Sequence, residues 1–426
     1  MHGKKRAEYK AQAQNPKIAA ALEAKAEQWY TLMKELRHRR DNSNNAATTD
    51  SETMDDNFNE STSAATTTLS MTLKLLEKAL LVNPDPLNLW NHRREVLLTM
   101  MSNDDNNDPS ENNKIHSDKY DKISVLETER GLTQAALQRN PKSYGAWFHR
   151  KWILQTIKPV VVEAFLKEEL ALTTLFLSLD ERNFHCWNYR RFVVACMAGN
   201  WNGDWNVPIH NNATTKTTTK TTTATATSTN KLMGPQVLPL KGTGWDSSII
   251  LPETFTHTIP QELLRSEFEF TANKIKDNFS NFSAFHYRSQ LVDFVVLSDD
   301  DNDGQEDCLL QEFQLIEDAI CTEPDDQTAW WYHAILLDKL DGNLSPSVKM
   351  KVGEQADLFR ELLEDSPDGG KWISLGLLRV LPLLDSETGD DSILEQQALL
   401  RRLMTIDPDR MGRYQTMMTQ LEKKVE

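Results

Sequence analysis

Apolar side chains recur at helical spacing along most of this chain, and nearly every run stops at a turn led by Asn, Asp or Pro. Leu69, Leu73, Leu76 and Leu80 form one stripe that ends at Asn83-Pro84, and the next helix is predicted from about Leu87 to Met101. Ile123, Leu126, Leu132, Ala136 and Leu137 lead to Asn140-Pro141 and then to a helix from Ser143 to Ile157. A third pair runs from Val161 to Leu179 and, after Asp180, from Asn183 to Met197. The fourth runs from Glu262 to Asn278 and from Ser283 to Leu297, and the fifth from Leu309 to Ile320 and from Gln327 to Leu340. Two weaker pairs follow, Ser347 to Glu364 with Gly370 to Leu384, and Ser392 to Ile406 with Asp409 to Lys424. No stretch alternates convincingly at the strand period, so the pattern predicts an all-α protein built as a right-handed stack of helical hairpins.

The hairpins repeat in detail as well as in outline. Five of the second helices open with an aromatic residue, then carry His or Tyr two positions on and a cation or His at the third. The copies are Trp90-Asn91-His92-Arg93, Trp147-Phe148-His149-Arg150, Trp187-Asn188-Tyr189-Arg190, Phe285-His286-Tyr287-Arg288 and Trp330-Trp331-Tyr332-His333. One such hairpin cannot bury its apolar face alone, whereas a stack can. Residues three apart share a helix face. The aromatics are therefore expected to fill the gaps between neighbouring hairpins. Arg93, Arg150, Arg190 and Arg288 are expected to lay their stems across those gaps and pair with a carboxylate or carbonyl of the adjacent repeat.

The polar segments divide the chain. Residues 1–40 read as a charged helical arm, with Leu22, Trp29, Leu32, Met33 and Leu36 on a helical period. Residues 41–68 are Asn/Ser/Thr/Asp-rich and are expected to be disordered. The repeat domain covers 69–426 and carries low-complexity insertions at about 102–117, 202–244 and 298–307, the longest holding a Thr tract at 214–229. Composition adds exclusions. With 63 acidic against 47 basic residues the formal net charge is -16, a poor match for nucleic acid as the main partner. Cys186, Cys196, Cys308 and Cys321 form no CxxC pair, and no His spacing completes a metal site, so reduced thiols and no bound metal are expected. No signal-peptide pattern opens the chain, and no run approaches the ~20 apolar residues of a transmembrane segment. The expected compartment is cytoplasmic.

Function should lie in what differs among the copies. Five residues before the aromatic stand Asp85, Lys142, Arg182, Ser280 and Asp325; three before it stand Leu87, Tyr144, Phe184, Phe282 and Gln327. Only the second copy sets a Lys two residues before a Tyr at the mouth of a helix. A mobile ammonium beside a positive helix end suits a phosphate or diphosphate.

With its aromatic-x-x-Arg cores after Asn/Asp-Pro-like turns, the chain resembles the α subunits of the heterodimeric protein prenyltransferases, from about Leu69 to Leu340 with the arm and the C-terminal helices. Within that family it looks most like the Rab (type II) geranylgeranyl-transferring branch. The stretches that carry this are Met1-His2-Gly3, Asn140-Pro141-Lys142-Ser143-Tyr144-Gly145, Asp180 to Trp187, Asn278 to Phe285, Asp326 to Trp330 and Ile406 to Arg410. The resemblance implies an α-α superhelix, a crescent of hairpins around a β subunit that holds a catalytic Zn2+ and the lipid tunnel. The reaction implied is transfer of geranylgeranyl from geranylgeranyl diphosphate to C-terminal cysteines of Rab GTPases presented by a Rab escort protein. It assigns Lys142 to the leaving diphosphate and Tyr144 and His185 to the substrate-facing mouth.

One departure bears on specificity. Where farnesyl-type α subunits carry a Gln that binds the carboxylate end of a CaaX peptide, this chain has Gly145. The alternatives are an α subunit of the farnesyl/type-I transferases, disfavoured by Gly145 and the Asp180–Trp187 stretch, and a tetratricopeptide-like scaffold that only binds proteins. Copies here lie further apart than the ~34 residues of that repeat.

Overall fold

The structure, a computed structural model, describes residues 15–49, 58–105, 114–157, 163–198, 260–296, 302–340, 344–366, 369–384 and 389–425. Every regular element among them is helical. The chain divides into two compact units, Met1–Gly203 and Asp204–Glu426, a division that falls within the Thr-rich insertion. That insertion, its Thr tract included, lies outside the described residues, as do the first 14.

The first unit holds α1 (Pro16–Thr49), α2 (Phe58–Val82), α3 (Leu87–Asp105), α4 (Lys114–Arg139), α5 (Tyr144–Ile157), α6 (Glu163–Leu179) and α7 (Phe184–Met197). Here α2/α3, α4/α5 and α6/α7 are antiparallel hairpins. They stack so that α3, α5 and α7 form one layer while α2 packs on α4 in the other, and α1 lies against α2. Helices extend further into the polar segments than composition suggests. α1 runs through 41–49, α2 starts at Phe58, α3 reaches Asp105 and α4 begins at Lys114. Once a packed helix has formed, each added residue needs no new nucleus, so even Asn- and Thr-bearing sequence with interspersed Ala continues it.

The second unit holds α8 (Gln261–Asp277), α9 (Phe282–Val295), α10 (Asn302–Thr322), α11 (Gln327–Lys339), α12 (Pro346–Glu364), α13 (Lys371–Leu384), α14 (Gly389–Ile406), a 3-10 turn (Pro408–Arg410) and α15 (Met411–Val425). The pairs α8/α9, α10/α11, α12/α13 and α14/α15 are again hairpins, with α9, α11 and α13 side by side. Both weak C-terminal pairs are therefore present. The last is clipped by Asp407, which accepts from Lys371 Nζ at 2.9 Å, Arg410 Nη1 at 2.9 Å and Tyr414 Oη at 2.6 Å.

The repeated Trp and Arg side chains lie inside the stacks. Trp90, Trp147, Trp187, Phe285 and Trp330 are buried, as are Arg93, Arg150, Arg190 and Arg288. Each Trp donates its indole N–H to the carbonyl six residues earlier: Trp90 to Pro84, Trp147 to Pro141, Trp187 to Glu181 and Trp330 to Pro324, all at 2.8–2.9 Å. Each Arg reaches back to a carbonyl of its own hairpin's first helix, namely Leu73, Arg130, Leu170 or Phe268. Three also grip a carboxylate of the next hairpin with two nitrogens: Arg93 on Glu129, Arg150 on Glu169 and Arg288 on Glu312. The same carboxylate takes the His or Tyr of its own hairpin, through His149 Nε2 at 3.0 Å, Tyr189 Oη at 2.7 Å and Tyr332 Oη at 2.6 Å. Burial alone would raise the Glu169 pKa, but Arg150, Arg130 and Tyr189 hold it below the ordinary carboxylate range. Where the series ends in His333 instead of Arg, its partner is Gln355 at 3.1 Å. Burial lowers the His333 pKa to about 4. The last bridge is a neutral version of the others.

Candidate functional site

The turns between paired helices are built alike. The side-chain oxygens of Asn83, Asn140, Asp180 and Asn278 accept the N–H two residues on, from Asp85, Lys142, Arg182 and Ser280. This is the local bond that makes Asx residues turn formers. Ser143, Asn183, Asn281 and Asp326 then cap the helices that follow, each accepting a first-turn N–H. The caps also tie turn to turn: Ser143 Oγ donates to the Pro84 carbonyl at 2.6 Å, and Asn183 Nδ2 to the Pro141 carbonyl at 2.7 Å.

A second set of rungs joins the third residue of one turn to the first of the next. Asn140 Nδ2 donates to Asp85 Oδ1 at 2.5 Å, Lys142 Nζ pairs with Asp180 Oδ2 at 3.0 Å, and Ser280 Oγ donates to Glu323 Oε2 at 2.9 Å. Lys142 is thus held at the helix mouth with its side chain 37% exposed.

Beside it the ends of α5 and α7 present aromatic rings. Tyr144 is 60% exposed, meets His185 edge-on with centroids 5.8 Å apart, and stacks on Phe148 at 6.3 Å. Phe184 lies 3.8 Å from the His185 ring. His185 is half-buried, and burial together with the Lys142 charge lowers its pKa, so it is a neutral imidazole at pH 7. The three residues singled out from the sequence therefore sit together, with Lys142 on the turn and Tyr144 and His185 on successive helix starts. Arrayed with them are residues the sequence reading passed over. Phe148, one turn beyond Tyr144, is 45% exposed and lies under the Arg94 guanidinium at 4.9 Å. Its spacing of four from Tyr144 was the available signal. In the second unit Phe282, His286 and Trp331 form a comparable ring cluster, with Phe282 and Trp331 5.0 Å apart. Chemically, the first-unit patch offers one ammonium for an anion and exposed ring faces for an apolar chain.

Gly145 also has a packing reason. It is buried, and a Cβ there would fall inside the Trp90 ring, 2.8 Å from Nε1 and closer still to Cδ1. Gly376 stands against Trp330 in the same way. The glycine thus lets the second hairpin close on the first aromatic, and a side chain at 145 would meet Trp90. Gly145→Ala is expected to cost about 1–3 kcal/mol by overpacking. Urea denaturation of the variant checks this, and an unchanged midpoint would show that the hairpins can separate freely.

Among the described residues, no three His, Cys, Asp or Glu side chains are grouped to hold a metal ion, and no helix is long and apolar enough to cross a membrane. All four cysteines are free thiols, with Cys186 and Cys196 buried.

Known proteins share these hairpins. The protein prenyltransferase alpha subunit repeat matches residues 126–157, 166–197, 264–295 and 309–340, which are the pairs α4/α5, α6/α7, α8/α9 and α10/α11. The geranylgeranyl transferase type-2 subunit alpha of Bos taurus is 32% identical over 272 residues, covering 63% of this chain and 34% of that protein. The subunit of the same name from Candida albicans is 26% identical over 366 residues, covering 79% of this chain and 81% of that one. The chain therefore spans about a third of the length of the bovine relative and most of the yeast one. The solved Candida albicans protein geranylgeranyltransferase-I complexed with GGPP is similar at a TM-score of 0.46 and 14% identity, over 82% of this chain and 84% of that chain.

Proposed function

Because this chain belongs to the protein prenyltransferase α-subunit repeat family, we propose that it is the α subunit of a Rab (type II) protein geranylgeranyltransferase, active as a heterodimer with a β subunit. In that reaction a C-terminal cysteine thiolate of a Rab GTPase attacks C1 of geranylgeranyl diphosphate. A C–S bond forms, the C1–O bond breaks, and diphosphate leaves with the electron pair. The observation that carries the reading is the placement of Lys142. Its ammonium is held at a helix mouth beside the exposed ring of Tyr144 and the half-buried ring of His185, where one anionic group and one apolar chain can be bound together.

Negative charge grows on the diphosphate as C1–O breaks, so an ammonium aimed at its oxygens stabilises the transition state more than the ground state. Lys142 is given that role. Tyr144 and neutral His185 line the mouth and add no second charge to it. Zn2+ belongs, on this reading, to the β subunit, where it would lower the pKa of the attacking thiol. Gly145 offers no side chain to read a terminal carboxylate, which supports substrates delivered by a Rab escort protein over free CaaX peptides.

The reading is tested by co-expressing the chain with candidate β subunits and following lipid transfer to a Rab protein and to a CaaX peptide. Transfer to the Rab protein that depends on the escort protein is expected. Efficient transfer to the peptide without it would place the chain with the farnesyl/type-I transferases, and no transfer with any β subunit would leave a protein-binding scaffold.

A further inference from the structure

We propose that Asp180 is the positioning residue for Lys142, fixing the direction of its ammonium towards the leaving diphosphate; the inference rests on the role given to Lys142 above.

The argument comes from the rungs between turns. The first residue of a turn is Asn in the first, second and fourth copies, Asp in the third and Glu in the fifth. At Asn83, Asn140, Asp180 and Asn278 the side-chain oxygen caps its own turn, and at Asn140 and Asp180 the second atom of the head group faces the preceding turn. At Asn140 that atom is an amide N–H, and it meets the carboxylate of Asp85. At Asp180 it is an oxygen, and it meets Lys142. An Asn at 180 would be free to keep the cap but would turn a donor towards an ammonium that has only donors. The carboxylate is thus matched to the lysine, rung by rung, within one chain.

Stability does not account for this match. The pair is partly solvated, with side chains 37% and 28% exposed, and such pairs contribute little to folding. Its physical effect is directional. Asp180 is itself fixed: its N–H bonds the Phe176 carbonyl at 3.0 Å, and its Oδ1 accepts from the Arg182 N–H at 3.3 Å. One of the three ammonium donors is engaged by Oδ2, which fixes a flexible four-carbon stem at the helix mouth, and two donors are left for an anion. A side chain positioned before substrate arrives loses less entropy when it acts.

The test is single-turnover transfer by the heterodimer, with wild type, Asp180→Asn, Asp180→Glu, Lys142→Ala and the Lys142→Ala/Asp180→Asn double variant. Asp180→Asn, which retains the turn cap, is expected to slow transfer about tenfold with an unchanged melting temperature. Asp180→Glu should restore part of the rate, and in the Lys142→Ala background Asp180→Asn should change it by less than about twofold. Asp180→Asn transferring at or above the wild-type rate, or slowing both backgrounds equally, overturns the positioning role while Lys142→Ala remains slow. Lys142→Ala transferring at the wild-type rate overturns the diphosphate role beneath it.

Discussion

Replacing Arg288 by alanine is expected to destabilise the chain by about 3–5 kcal/mol, the range for removing one partner of a buried ion pair. Glu312 is almost wholly buried, and its oxygens take Arg288 Nε at 2.8 Å, Arg288 Nη2 and the Tyr332 hydroxyl at 2.6 Å. Without Arg288 the carboxylate keeps a neutral phenol and no cation, so it must stay charged in a low-dielectric contact or take up a proton. The substitution also empties the space over Phe268, whose ring lies 3.5 Å from the guanidinium carbon. Arg150→Ala removes the corresponding cation in the first unit and should cost less. Its partner Glu169 keeps Arg130 Nε at 2.8 Å as well as Tyr189. Chemical denaturation of the two variants gives the order directly. A loss below about 1 kcal/mol for Arg288→Ala would make these bridges equivalent to surface pairs, against the burial seen here.

The hairpins were legible in the sequence because two signals coincide at each of them: an apolar stripe at the helical period, and an Asx- or Pro-led break. The buried aromatics and arginines were legible because they recur. Their carboxylate partners were not singled out, since a lone Glu on an amphipathic helix resembles any solvated charge. A signal did exist. Glu129, Glu169 and Glu312 each precede the His or Tyr they contact by the same offset of 20 residues. Gly145 carries a second meaning that the sequence did not show. A missing side chain beside Tyr144 suggested lost recognition, whereas its burial against Trp90 depends on a contact between hairpins that no local pattern reports. Lys142 and Tyr144 were placed together by comparing the copies, and His185 joined them only through resemblance to a family. In the structure their clustering follows from the stacking of α5 and α7, which sets successive helix starts side by side. Asp180 was read as a helix breaker, and its second oxygen acquires a meaning only when the neighbouring turn is brought to it.

Lys142→Ala in the heterodimer is expected to slow the chemical step roughly 10²-fold, comparable to removing one donor aimed at developing negative charge elsewhere. Folding should barely respond, because the Lys142–Asp180 pair is partly exposed and worth at most ~1 kcal/mol. Assembly with the β subunit should also survive, since the truncated side chain leaves the turn bonds of Asn140, Ser143 and Pro141 in place. The effect should fall on the rate with bound lipid diphosphate rather than on the fraction of heterodimer formed. That separation makes single-turnover geranylgeranyl transfer to a Rab protein, wild type against Lys142→Ala at equal heterodimer concentration, the most direct measurement of what this chain contributes. A fall of about two orders of magnitude in an intact heterodimer is the predicted result; an unchanged transfer rate would contradict it and leave the turn lysine a rung between hairpins.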